Sequence, residues 1–245
     1  MLKMMSRVRN FSPRRIKEVL GMVWSSTYAE DGLMARRLAG FLHGEKFTAA
    51  YNAGKSTGSW GTTELRWRVF VACWAAGHAK LLPGDFVECG VNRGGISRAV
   101  IEYTDFSNLD KKFYLLDTYC GVPPRMKRSA ADVVFDYSEC YDDVRKTFSQ
   151  FPNVRIIRGE VPETLPIVDS DKIAYLSIDM NCVEPEIAAA KFFWDKVSPS
   201  GVIVLDDYCY SEDYTLQHKA FDEFAKSRGA EVLPLPTGQG LIVKP

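Results

Sequence analysis

Paired cysteines are missing from this sequence. The six cysteines, at positions 73, 89, 120, 140, 182 and 209, stand at least 16 residues apart, with no Cys-x-x-Cys pair. Such scatter builds neither a zinc site nor a secreted disulfide framework. Histidine is scarcer still: His43, His78 and His218 are the only three, and they lie far apart. A His/Cys metal centre is therefore not expected, and any metal must be held by oxygen. Net charge is also absent, because 31 Lys and Arg balance 31 Asp and Glu. Without a broad basic field the chain is not expected to bind nucleic acid non-specifically. No apolar run approaches the roughly 20 residues that span a bilayer. Residues 1–9 are basic, but polar and charged residues at 10–17 interrupt the place where a signal peptide would be apolar. The expectation is a soluble, cytoplasmic chain with no membrane or nucleic-acid partner. Its oligomeric state is open, a homo-oligomer included.

What is present suits one α/β domain with an N-terminal extension: 245 residues, 46% of them hydrophobic, with no internal repeat. Residues 12–43 space their apolar groups helically (Ile16, Val19, Leu20, Val23, then Leu33, Leu38, Leu42), 47–61 read as a loop, and 62–80 as a helix. From 85 onward strands at 85–89, 113–117, 154–158, 173–179 and 201–206 alternate with helices at 95–103, 139–150, 184–197 and 212–228. Two last strands, 231–235 and 240–243, are joined by Pro236-Thr237-Gly238-Gln239. That link is too short for a parallel crossover, so the pair must be antiparallel. The fold class expected is doubly wound α/β, a mostly parallel seven-stranded sheet closed by an antiparallel hairpin. Residues 1–82 would form a helical extension or lid, and 83–245 the ligand-binding domain.

Ligands of such sheets collect beyond the carboxyl ends of the strands. The first strand runs into Glu88-Cys89-Gly90-Val91-Asn92-Arg93-Gly94-Gly95, a turn tight enough to need Gly90 and open enough at Gly94 and Gly95 for a ligand to reach the backbone. By itself this is also what an ordinary strand-to-helix turn looks like. The second strand ends at Asp117, 27 residues on, where a carboxylate can accept ribose hydroxyls; the third ends at Arg158-Gly159-Glu160. Together they point to an adenosyl ligand. Asp179 closes the fourth strand and Asp206-Asp207 the fifth. Three convergent carboxylates repel one another unless a cation joins them, and all-oxygen ligation favours Mg²⁺, with Mn²⁺ or Ca²⁺ behind. Capping of the next helix would explain one of these acids but not three.

These residues resemble a known family. GDFVECGVNRGG (84–95), LLDTYCGVP (115–123), GEVPETLP (159–166), YLSIDMN (175–181), GVIVLDDY (201–208) and PTGQGLI (236–242) are similar to the macrocin O-methyltransferase family, class I enzymes that methylate sugar hydroxyls with a metal. The linked set covers about two thirds of the chain. The resemblance implies S-adenosylmethionine on Glu88, Cys89, Gly90, Val91, Gly94 and Gly95, then on Asp117, Thr118 and Tyr119, and on Gly159, Glu160 and Val161. It implies Mg²⁺ on Asp179, Asp206 and Asp207, and a sugar or glycosylated small molecule as acceptor. Residues 1–60 match less and would help to enclose that acceptor. Family members often carry Asp-x-Asp where this chain has Asp179-Met180-Asn181, and Asn is no base near neutral pH. Asp179 is then the first candidate for the base and His218, whose ordinary pKa suits the task, the second.

Other readings remain open on sequence. A catechol- or phenol-type O-methyltransferase would use the same metal logic. A nicotinamide oxidoreductase is disfavoured by the glycine spacing and terminal hairpin, and a silent nucleoside-binding subunit by the acid trio. Gly54-Lys55-Ser56 ends like a phosphate-binding loop but lacks the upstream glycine, position 49 being Ala. Tyr51 and Lys55 imitate a dehydrogenase pair, placed before the glycine turn instead of after it. Trp60, Arg66, Trp67 and Arg68 could stack on a sugar or nucleotide, yet their helical spacing reads as half core and half solvated surface. The basic run at 125–128, in the loop after the second strand, could meet an acidic substrate, though as a solvated loop it needs no purpose.

Overall fold

The computed structural model describes residue 21 and residues 25–123, 137–211 and 215–245. The helical spacing at 12–20 and the basic run at 125–128 lie outside these residues. Seven strands form one sheet, in the order β5 (Val154–Arg158), β4 (Phe113–Asp117), β3 (Asp85–Cys89), β6 (Ile173–Ile178), β7 (Val197–Leu205), β9 (Gly240–Val243), β8 (Leu233–Pro234). The first five are parallel, while β9 runs antiparallel to both β7 and β8. The seven-stranded sheet and antiparallel close expected from the sequence are both present. Strand β3 pairs on one side with β4 and on the other with β6, so the order reverses at β3. The crevice beyond its carboxyl end is where such a sheet takes a ligand.

Both faces are covered because the central strands are apolar on both sides. Strand β6 is buried at all six positions. One face packs helices α2 (Arg66–Ala79), α3 (Gly95–Thr104) and α4 (Tyr141–Phe148), through Ala72, Ala76, Val100 and Phe148 among others. The other packs α5 (Val183–Trp194) and α6 (Thr215–Ser227), through Ala189, Phe193, Phe221 and Phe224. Burial of each valine or phenylalanine among them stabilises the fold by about 1.5–3 kcal/mol, and of each alanine by less.

The N-terminal part departs from the sequence expectation in two places. Residues 28–35 form a hairpin, β1 (Tyr28–Glu30) with β2 (Leu33–Ala35), instead of helix. Asp31 and Gly32 at its turn have φ of 48° and 75°, the doubly left-handed turn whose twist suits paired strands. That turn chemistry overrides the apolar spacing around it. The segment 47–61, expected as loop, is helical as far as Lys55: helix α1 (Glu45–Lys55) buries Phe47, Ala50, Tyr51 and Gly54 on one stripe. Gly54 is there for closeness. A Cβ on it would lie 2.5 Å from the Gly95 carbonyl oxygen, so α1 and α3 touch backbone to backbone. Lys55 and Tyr51 both donate to Glu64, which explains the two residues that imitate nucleotide-enzyme motifs as a local tie.

Candidate active site

The strand ends are fixed by hydrogen bonds that run one residue past each strand. Gly90 N–H donates to Leu116, Asp179 N–H to Cys89, Asp206 N–H to Ile178 and Gly159 N–H to Asp117, at 2.8–3.0 Å. Four expected site residues are thereby held at one edge. Gly90 takes φ of +89°, and a Cβ there would stand 1.7 Å from the Asp179 carbonyl oxygen. No other residue fits between these strands. Beyond them lies a cavity of about 370 Å³, lined by all three acids and by the expected cradle at Gly90, Asp117 and Glu160. Cys89 and Gly94 are not among its lining residues; Cys89 is fully buried in the core.

Asp117 acts first on the protein itself. Its carboxylate accepts the Val91 and Asn92 amides at 2.6 and 2.8 Å and the Tyr119 amide at 2.6 Å. The acid at the end of β4 therefore fastens the glycine turn after β3. On the other flank Ser59 Oγ accepts the Gly95 amide at 2.8 Å, at the N-terminus of α3, and Trp60 packs against Gly95. Ser59 and Trp60 also line the cavity, so the segment before α2 covers the glycine turn.

Glu88, 2% exposed, accepts the Ser97 hydroxyl. Burial, aided by Asp206 and Asp117, pushes its carboxyl up to about 8. Its folded pKa lies above the unfolded value of 4.5, so the protonated form stabilises the fold fully below that value, and this is lost as pH rises through about 8. The metal-free protein should melt at falling temperature from about pH 5 to pH 8. Glu88→Gln, which keeps the acceptor for Ser97, should lessen that slope in calorimetric melts, the remainder belonging to Asp179 and Asp207. An unchanged slope would place the ionisation elsewhere.

The acid trio converges as expected. Asp179, Asp206 and Asp207 each offer an oxygen, all within 4.8 Å of one another. Burial and then Asp206 and Asp207 drive Asp179 well above the carboxylate range, and burial and then Asp206 bring Asp207 to about 7. Three hard oxygen donors that cannot all stay ionised together fit a divalent cation.

The unexpected member is Arg68. It does not face solvent: at 8% exposure its Nη1 donates to Asp206 and lies 3.4 Å from Asp207, while Nε donates to Asp31 at 3.1 Å. The guanidinium also covers the Tyr210 ring, 4.5 Å from its centroid. On α2 Arg68 continues the buried stripe of Ala72, Ala75 and Ala79, the one feature of its spacing that sets it apart from a solvated charge. Gln239, fully buried in the β8–β9 turn, donates to the other Asp206 oxygen at 2.8 Å. Tyr137, also in the lining, bonds Asn181.

His218 stands apart from this group. It does not line the cavity; its Nε2 is 3.1 Å from Asp222 and its ring packs on Tyr208. The second candidate for the base thus lies outside the cavity lining, where α6 turns it toward its own i+4 partner. His218→Asn should lower turnover less than about tenfold, below the 10²–10⁴ range of a working base. A loss within that range, with ligand binding intact, would restore it.

A mostly parallel seven-stranded sheet whose order reverses at β3 and which is closed by antiparallel β9 is the class I methyltransferase fold. The O-methyltransferase NovP superposes with a TM-score of 0.62 at 21% identity, over 94% of this chain and 96% of that one. The S-adenosylhomocysteine-bound Podospora anserina methyltransferase PaMTH1 follows at 0.54 and 18%, over 80% and 88%. The family described as Macrocin-O-methyltransferase (TylF) matches residues 56–232, and the chain belongs to it. Demethyldecarbamoylnovobiocin O-methyltransferase of Streptomyces niveus is 28% identical over 144 residues, 52% of this chain and 53% of that protein. Mycinamicin III 3''-O-methyltransferase of Micromonospora griseorubida is 24% identical over 168 residues, 59% and 65%. The chain thus spans between half and two thirds of these relatives. Among the described residues no helix is long and apolar enough to cross a membrane.

Proposed function

We propose that this protein transfers the methyl group of S-adenosylmethionine to a hydroxyl of a sugar or glycosylated small molecule, with a divalent cation, Mg²⁺ foremost, on Asp179, Asp206 and Asp207. The observation that carries this is the single cavity in which the glycine cradle and the acid trio adjoin. The acceptor class follows the family and the relatives, one of which is named an 8-demethyl-8-(2,3-dimethoxy-alpha-L-rhamnosyl)-tetracenomycin-C 4'-O-methyltransferase.

Each part has a task for this chain's residues. Gly90, Val91 and Asn92, fastened by Asp117, shape the floor for the nucleoside, with Thr118 and Glu160 at its sides. Trp60 and Leu65 line the cavity from the segment before α2 and would help to exclude water from the transfer. The sulfonium already activates the methyl group, so positioning is most of the work. Bound on the three acids, the cation would supply Lewis acidity that makes an acceptor hydroxyl easier to deprotonate. Asp179 is the carboxylate suited to take that proton, since Asn181 beside it cannot; as a ligand of the cation it would be a weak base, but the acidified hydroxyl needs little basicity.

Calorimetric titration with S-adenosylhomocysteine and with NAD, each with and without Mg²⁺, tests the ligand. The nucleoside should bind in both conditions and NAD in neither. Tighter binding of NAD would overturn the reading.

A further inference from the structure

The acid trio already contains a cation of the protein's own. Asp206 has both oxygens engaged, one by Arg68 and the other by Gln239. A carboxylate oxygen that faces a guanidinium N–H cannot present the same lone pair to a metal ion. Two cations at that distance also repel one another in a buried setting. We propose that Arg68 is the resident counter-ion of the acid trio and that a divalent cation must compete with it for Asp206 and Asp207. This rests on the metal site proposed above.

The geometry offers Arg68 somewhere to remain when it yields. Its Nε is held by Asp31 from the β1–β2 turn and its face lies on Tyr210, neither of them part of the trio. Nη1 alone spans Asp206 and Asp207. A rotation that withdraws Nη1 can keep the Asp31 bond. Three carboxylates, Asp31 included, contact one guanidinium, and Asp179 adds its charge through space, so excess negative charge remains to draw a divalent ion in. In the metal-free state Arg68 lowers the repulsion within the trio; in the loaded state it opposes the ion.

The sign of one effect separates this from a merely structural arginine. If Arg68 only oriented Asp206 for the metal, its removal would weaken metal binding. If it competes, removal strengthens binding and destabilises the metal-free protein. Mn²⁺ binding to the full chain is read from the free-ion signal in electron paramagnetic resonance, alongside melting temperature with and without Mn²⁺. Arg68→Met should bind Mn²⁺ at least about tenfold more tightly than wild type, melt earlier without metal and show the larger Mn²⁺-induced rise. Arg68→Lys keeps a charge but cannot span the same partners; it should fold even if Arg68→Met does not, and bind Mn²⁺ a few-fold more tightly. Unchanged or weaker binding in both variants, or in Arg68→Lys where only that one folds, overturns the proposal. Binding by a variant but not by wild type supports the competition while contradicting the metal-dependent reading of the native protein. No binding by any of them overturns both.

Discussion

Chelation with EDTA is expected to lower methyl transfer by about three orders of magnitude or more, the scale of several kcal/mol of Lewis-acid stabilisation. S-adenosylhomocysteine affinity should stay nearly unchanged, and added Mg²⁺ should restore turnover. Charge is the reason. Asp179 and Asp207 both sit above the usual carboxylate range because burial and their neighbours oppose ionisation. A divalent ion reverses that opposition, whereas Arg68, already shared with Asp31, does not suffice. The cradle for the nucleoside rests instead on Asp117 and the glycine turn, so it should survive metal removal. Asp207→Asn should reproduce chelation without EDTA, with normal nucleoside titration. Full turnover in excess chelator would remove the metal from the account.

Asp117→Ala should weaken S-adenosylhomocysteine binding by about 1.5–3 kcal/mol, roughly 10- to 150-fold. The sequence suggests that this acid meets the ribose directly. The structure shows it accepting three backbone amides, from Val91, Asn92 and Tyr119, so its loss unfastens the surface on which the nucleoside would lie. Charge-assisted bonds of this kind have no substitute once the carboxylate is gone. Asp117→Asn, which keeps one acceptor oxygen, should lose less. Wild-type affinity in the alanine variant would mean that the nucleoside binds elsewhere.

The contrast between Asp117 and Arg68 shows what the sequence made legible. Strands β3, β4 and β5 begin and end where expected, because short apolar runs there meet Gly, Asp or Asn that cannot continue them. The acids at their ends are legible for the same reason: strand ends of a doubly wound sheet share one edge. Strand β7 begins at Val197 instead of 201 because polar Ser198 and Ser200 belong to it, and polar residues hide a strand's start. Helix α1 was masked by small and polar residues on its outer face, although Phe47, Ala50, Tyr51 and Gly54 mark a buried stripe. Arg68 was hidden differently. A charge on a helix reads as solvated, and its partners lie 138 and 139 positions away, a distance that only the folded sheet closes. Asp31 and Gln239 share that obscurity, each reaching the site from a hairpin turn.

The most direct measurement is transfer of a labelled methyl group from S-adenosylmethionine, with Mg²⁺ present, to a panel of glycosides set beside catechols and the matching aglycones. Label recovered as a methyl ether on a sugar hydroxyl is the predicted result. Label confined to a phenolic oxygen, or no transfer while S-adenosylmethionine is bound, would contradict the account.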